Sequence, residues 1–245
     1  MDATDDSDAA EMLSAVIIAR DEADRIEDAI RSVAFADECV VLDSGSVDDT
    51  VARARALGAR VVETDWPGHV AQKNRALAEA RGDWILAIDA DERVTDALRA
   101  SIVAALLVPA ADGFRMARRN HWLGHRLAHG LWYPDRRVRL ARRDRARWGG
   151  EDPHDVLIVG GVVADLTGDL DHHPYRTLAE HLATIDRYST IGARRGSWVD
   201  ILVRPPWHFI HGYLLRRGFL DGLPGLVVAA LGAVYTLLKW SRARL

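Results

Sequence analysis

The run Trp84-Ile85-Leu86-Ala87-Ile88 stops abruptly at Asp89-Ala90-Asp91-Glu92. Short, bulky and apolar, it reads as a buried strand. Strand residues two apart share a side. Asp89 and Asp91 would therefore emerge together and repel each other unless a cation lies nearby. Mg²⁺ and Mn²⁺ take oxygen ligands, and Mg²⁺ commonly uses one or two carboxylates plus phosphate oxygens. The pair reads as a metal-diphosphate site, although the same pattern taken alone also fits a polar loop.

The preceding residues repeat one unit. Leu13 to Ala19 is an apolar strand, followed by Arg20-Asp21-Glu22 and a helix over 23–35. Glu38 to Leu42 is a second strand ending in Asp43-Ser44-Gly45-Ser46. Ser46 is suited to N-cap the next helix, with Asp48 and Asp49 in its first turn. Arg60 to Glu63 is a third strand, and a helix spans 68–81. Alternating strands and helices predict an α/β fold with a mostly parallel central sheet and helices on both faces. Ligands bind such sheets beyond the carboxyl ends of the strands, where the three polar segments converge. No glycine-rich dinucleotide fingerprint or ATPase phosphate loop follows the first strand.

Composition narrows the setting. The 245 residues allow one large α/β domain with an appendage. Five acids and no basic residue in the first eleven positions read as a disordered tail rather than a secretory signal. The single cysteine, Cys39, cannot form an intrachain disulfide, so a cytoplasmic protein is expected.

The segments ending in Arg20-Asp21-Glu22, Asp43-Ser44-Gly45-Ser46 and Asp89-Ala90-Asp91-Glu92, with Ala71-Gln72-Lys73-Asn74 between them, resemble glycosyltransferase family 2. The likeness continues through Gly130 to Asp135, Arg187 to Thr190 and Gly218 to Gly222, covering 13–245. The whole chain resembles the bacterial lipopolysaccharide-core β-glucosyltransferase type. The resemblance implies a GT-A fold and a nucleotide-diphospho-sugar donor. It assigns donor binding to Ala19, Arg20, Glu22, Asp43, Ser44, Lys73, Asp89, Ala90 and Asp91. Asp89 and Asp91 would hold Mg²⁺ or Mn²⁺. Read without the resemblance, Asp43 also fits a helix-capping or turn aspartate and Lys73 a solvated helix residue.

Inverting transfer needs a carboxylate to deprotonate the acceptor hydroxyl. The family usually shows His-Glu where this chain has His154-Asp155. Asp155 is the expected base and His154 its neighbour, with Glu151 and Asp152 as alternatives. Between Arg115 and Arg147 stand eleven arginines and two aspartates. Acceptor phosphates or an anionic membrane surface account for that excess better than nucleic acid, since no base-reading helix or interleaved stacking aromatics accompany it. His121, His125 and His129 recur at helical spacing, but glycines interrupt them and no further ligand completes a zinc site.

From Ile201 the chain mixes arginines with aromatics, and Leu223 to Leu238 carries no charge. This segment reads as a helical, membrane-associating tail. The expected organisation is an acidic tail (1–12), a nucleotide-sugar half (13–112), an acceptor and catalytic half (113–200), and the membrane tail (201–245). The expected function is inverting, metal-dependent hexosyl transfer, UDP-glucose being the first guess for the donor. The acceptor would be a lipopolysaccharide-core or other membrane-borne glycan, at the inner face of the cell membrane. An anionic glycolipid or lipid-linked glycan fits this reading, nucleic acid does not, and the C-terminal segment could mediate oligomerisation. The alternatives are transfer to polyprenyl phosphate and a catalytically inactive nucleotide-binding scaffold.

Overall fold

The structure, a computed structural model, describes residues 11–152 and 154–244. The first hundred residues alternate as expected. In order they form β1 (Leu13–Ala19), α1 (Ile26–Ser32), β2 (Glu38–Asp43), α2 (Thr50–Ala56), β3 (Arg60–Glu63), α3 (His69–Glu79), β4 (Trp84–Asp89), β5 (Glu92–Val94) and α4 (Asp96–Leu107). Strands then dominate: β6 (Gly113–Trp122), β7 (His125–Arg126), β8 (Asp135–Arg142), β9 (Ala146–Glu151), β10 (His154–Val159) and β11 (Val163–Tyr175). Three helices follow, α5 (Leu178–Ile191), α6 (Trp198–Ile210) and α7 (Gly222–Ser241).

Among the described residues, nine strands form one sheet in the order β3-β2-β1-β4-β8-β6-β11-β5, with β7 paired to β6. β3, β2, β1 and β4 are parallel, whereas β8 runs antiparallel to β4, so the sheet is mixed. β9 and β10 make a separate antiparallel hairpin. Trp84, Ile85 and Leu86 of β4 are wholly buried, as a strand covered on both faces requires. The chain leaves β1 toward β2 on one side and returns to β4 on the other. That reversal opens a crevice at the carboxyl ends. Register sets Ala19 opposite Asp43 and Ile18 opposite Asp89, bringing the three polar strand ends to one edge.

Packing divides the chain into two units. One holds the residues up to Ala117 with Arg136–Leu170, and the other holds Arg118–Asp135 with the residues from Asp171 on. The expected boundaries at 112 and 200 do not coincide with this division, and the second falls inside α6. Residues 1–10 of the expected acidic tail lie outside the described residues. Glu11 and Met12, assigned to that tail, are instead tied down. Glu11 accepts hydrogen bonds from the Trp84 indole and Arg142 at 2.7 Å each, and the Met12 N–H donates to Asp83.

Two local expectations are corrected. Ser46 does not cap α2, which begins later, at Thr50. Its hydroxyl donates to Asp43 and accepts the Asp21 N–H, while Asp48 accepts the Thr50 N–H. His121 and His125 do not share a helix face. They lie on paired strands, β6 and β7, joined through Leu123 and Gly124, both at positive φ.

In the second unit α7 packs against α5 and α6. Gly232 leaves room for the His208 ring between α6 and α7: a Cβ there would stand 2.5 Å from His208 Nε2, so the imidazole would have to move. A capping box starts α6: Ser197 Oγ accepts the Asp200 N–H, and the Asp200 carboxylate accepts the Ser197 N–H. His181 of α5 is buried, stacked on Tyr175 at 4.3 Å, and its Nδ1 accepts the Trp122 indole N–H at 3.0 Å. Burial pushes its pKa down to about 4.

Candidate active site

Three consecutive side chains of α3 reach three parts of the crevice in the first unit, since successive helical residues point about 100° apart. Gln72, fully buried, donates to Ser44 Oγ at 3.0 Å in the loop after β2. Lys73 points toward the end of β4. Asn74 clamps β9 by exchanging hydrogen bonds with both backbone groups of Trp148, at 2.9 and 3.0 Å. The helix can start where it does because its N-cap is Gly68, at φ +110°. A Cβ there would lie 2.0 Å from Asp152 Oδ2. Asp152 accepts the Val70 N–H at 2.9 Å, placing a carboxylate at the helix's positive end.

Lys73 is the hub. Its ammonium lies 2.7 Å from Asp155 Oδ2 and 3.0 Å from Asp89 Oδ1, with 7% of its side chain exposed. The Trp148 ring lies 4.5 Å from it. Lys73 is thus not a solvated helix residue. Arg139 of β8, equally enclosed, bonds Asp89 Oδ2 at 2.9 Å and Glu92 Oε1 at 2.7 Å. Burial would lower the guanidinium's pKa, but the charges of Glu92 and Asp89 outweigh it and hold Arg139 protonated. Glu92 is fully buried and also accepts the Asp89 N–H at 3.0 Å, orienting the end of β4.

Neither Arg139 nor Glu92 stood out in the sequence as a site residue. The available signals were an arginine between Val138 and Leu140 in a strand-like run, and a glutamate directly after Asp91.

The donor-side residues fall as follows. Ala19 and Asp43 end adjacent strands, and both are buried. Asp43 accepts the Gly45 and Ser46 N–H groups at 3.0 and 2.9 Å, the geometry of a turn aspartate. The Glu22 backbone N–H donates to Thr50 Oγ1, and its carboxylate lies 3.7 Å from Arg25. Arg20 is exposed. The loops after β1 and β2 are laced together: Val47 donates to Asp21 at 2.8 Å and Ala23 to Asp48 at 3.1 Å. Ala90 and Asp91 form the turn between β4 and β5, with Ala90 buried.

Among the described residues, no group of three or more His, Cys, Asp or Glu could hold a metal ion unaided. Asp89 and Asp91 offer oxygen donors only. That set fits Mg²⁺ or Mn²⁺, which complete their shells with phosphate oxygens and water.

On β10, alternation separates the two expected catalytic residues. Asp155 and Leu157 turn inward, whereas His154 and Val156 are exposed. The structure therefore brings Asp155, but not His154, to Lys73. Glu151, opposite His154 in the hairpin, is also exposed.

Of the eleven arginines between Arg115 and Arg147, at least seven form ion pairs: Arg115 and Arg136 with Asp165, Arg118 with Asp135, Arg119 with Asp171, Arg139 as above, Arg142 with Glu11, and Arg145 with Asp112. Much of the apparent basic excess is matched by acids, Asp135 within the segment and the others outside it.

Comparison with known proteins supplies the rest. The family model described as Glycosyl transferase family 2 matches residues 14–159. Lipopolysaccharide core biosynthesis glycosyltransferase LpsC of Rhizobium meliloti (strain 1021) is 31% identical over 242 residues, spanning 92% of this chain and 89% of that protein. An uncharacterized glycosyltransferase of Rickettsia felis is 31% identical over 255 residues, spanning 96% of this chain and 90% of that protein. Among solved structures, glucosyl-3-phosphoglycerate synthase from Mycobacterium tuberculosis in complex with Mn²⁺, UDP and phosphoglyceric acid has the same fold. Its TM-score is 0.51 at 22% identity, covering 74% of this chain and 77% of that one.

Proposed function

The chain belongs to glycosyl transferase family 2, and on that premise we propose inverting, metal-dependent transfer of a hexose from a nucleotide-diphospho-sugar to a membrane-borne glycan. UDP-glucose is the donor to test first, and a lipopolysaccharide core the acceptor, in keeping with the name of the Rhizobium relative. The observation that carries this reading is Lys73, one buried cation touching Asp89 on the donor side and Asp155 on the other.

In this reading Ala19, Arg20, Glu22, Asp43 and Ser44 surround the nucleoside, and Lys73, Asp89, Ala90 and Asp91 the diphosphate. Residues 13–112 serve the donor and 113–200 the acceptor. Asp89 and Asp91 would hold a divalent cation, which would offset the charge developing on the leaving diphosphate. Asp155 takes the proton of the acceptor hydroxyl. The hydroxyl oxygen bonds to the anomeric carbon from the face opposite the diphosphate, and the bond to the diphosphate breaks. Lys73 keeps the base and the donor carboxylate at fixed separation, the positioning on which such transfers depend. Membrane association through 201–245, on the cytoplasmic side, suits such an acceptor. It is supported by Gly218–Arg244, a stretch long and apolar enough to cross a membrane by length and composition.

The test is thermal stabilisation by UDP, GDP, ADP and dTDP, with and without Mn²⁺, in wild type and Asp91→Ala. A ligand at a hundredfold over its Kd adds about 2.7 kcal/mol. Stabilisation by one nucleotide, requiring both metal and Asp91, is expected. No response to any nucleotide would overturn the donor site.

A further inference from the structure

The two units differ in charge. Arg118–Asp135 with Asp171–Leu245 carries twelve arginines and one lysine against six acids, formally +7 in a chain whose total is −4. The same unit displays a broad apolar surface. On α6, Ile201 and Pro205 face inward, while Trp198, Leu202, Val199, Ile210, Val203 and Trp207 follow one another around the adjoining half of the helix. These six are 40% to 67% exposed. Leu214, Leu215 and Leu220, which follow in the chain, are exposed as well. Monomeric soluble proteins rarely show contiguous apolar patches of this kind without a partner.

We propose that the second unit docks on an anionic lipid bilayer through the outer face of α6, which lies along the headgroup region. This rests on the membrane association proposed above, and it names the contacting element and the lipid charge.

The charge selects the partner. A second copy would bring another unit of formal charge +7, whereas an anionic leaflet attracts it. Tryptophans near both ends of the face match the preference of that side chain for the membrane-water boundary. α6 runs without a break into a π-helical segment, His211–Leu215, and the two together span at most about 27 Å, short of the roughly 30 Å hydrocarbon thickness. An exposed apolar face on a short, cation-flanked helix is the interfacial pattern. Arg204 is set off that face, bonded to Asp200 at 2.6 Å and stacked over Trp240 at 4.3 Å. α7, although longer and more apolar, has one side covered by α5 and α6, with Gly225, Val228, Ala229 and Thr236 buried. Its other side is apolar and open, with Leu223, Leu226, Val234 and Leu237 37% to 71% exposed, so α7 can touch lipid on that side but is not surrounded by it.

Flotation of the full chain with phosphatidylcholine vesicles, with and without phosphatidylglycerol, tests this. Binding is expected only with phosphatidylglycerol and is expected to weaken as salt rises. The double variant L202E/V203E should bind about tenfold less, with its thermal melt and its nucleotide response as in wild type. W198S and W207S, tested singly, should each lose part of the binding. In wild type, brominated lipids should quench tryptophan emission, a readout independent of any variant. Binding that is indifferent to lipid charge, or unchanged in all three variants, overturns the role of α6 while leaving membrane association standing. No binding to any vesicle overturns both. A dimer in sedimentation equilibrium that L202E/V203E dissociates would make this face an interface between copies and overturn the proposal.

Discussion

Lys73 Nζ and Asp155 Oδ2 lie 2.7 Å apart although 82 residues separate them in the chain. The ion pair joins α3 to β10, and through Asp89 it reaches the end of β4. Helix, hairpin and sheet are thus tied at one charged point, enclosed enough that water screens it weakly.

Lys73→Met would leave Asp155 without its cation and Asp89 with Arg139 alone. A loss of about 3 kcal/mol in urea unfolding is expected, as when one partner of a buried pair is removed. A loss under about 0.5 kcal/mol, the range of neutral surface changes, would mean that the pair contributes nothing to the fold.

Arg139→Met would strand Glu92, which has no exposure to solvent. The expected cost is about 4 kcal/mol, measured the same way. The double variant Arg139→Met with Glu92→Met should be more stable than Arg139→Met, because both charges then go together. A double variant no better than the single would locate the loss in packing rather than in charge.

Replacing the three hairpin acids one at a time separates their roles. Asp155→Asn should cut kcat by about 10²- to 10⁴-fold while nucleotide stabilisation persists. Asp152→Asn should leave turnover near wild type and cost at most about 1 kcal/mol at the start of α3. Loss of turnover confined to Glu151→Gln would move the base to that residue. Turnover untouched by all three would favour an acceptor that is already an anion, such as a polyprenyl phosphate.

His181 makes stability depend on pH. Its folded pKa of about 4 lies below the usual 6.5, because burial disfavours the charged ring. The unfolded chain therefore binds the proton more readily. The contribution is complete above 6.5 and declines as pH falls from 6.5 toward 4. The loss at pH 5 is about 2 kcal/mol. Chemical unfolding at pH 7 and pH 5 checks this. His181→Gln, which retains an acceptor for the Trp122 indole, should remove that part of the pH dependence. An unchanged pH dependence in the variant would assign it to other groups.

The parallel strands and their polar ends were legible in the sequence because both signals are local. An apolar run states that a strand is buried, and the residues that interrupt it state where it meets water. The same locality misled elsewhere. Histidines four apart fit a helix face as well as a hairpin, and the turn at Leu123-Gly124 decided for the hairpin. Ser46 looked like a cap, but Asp43 and Asp21, brought beside it by the pairing of β1 with β2, took its hydroxyl.

Which charges meet was a different matter. Arg139 was one arginine among eleven until the antiparallel pairing of β8 with β4 brought it to Asp89 and Glu92, 50 and 47 residues away. His154 and Asp155 are neighbours in the chain yet face opposite sides of β10. The apolar character of the C-terminal segment was plain from composition. Which sides of α6 and α7 are covered and which face solvent depended on how the helices pack. Periodicity records which face of an element is apolar, since that depends only on residue spacing. Contacts between elements depend on strand order, register and helix packing, which arise only when distant segments are brought together.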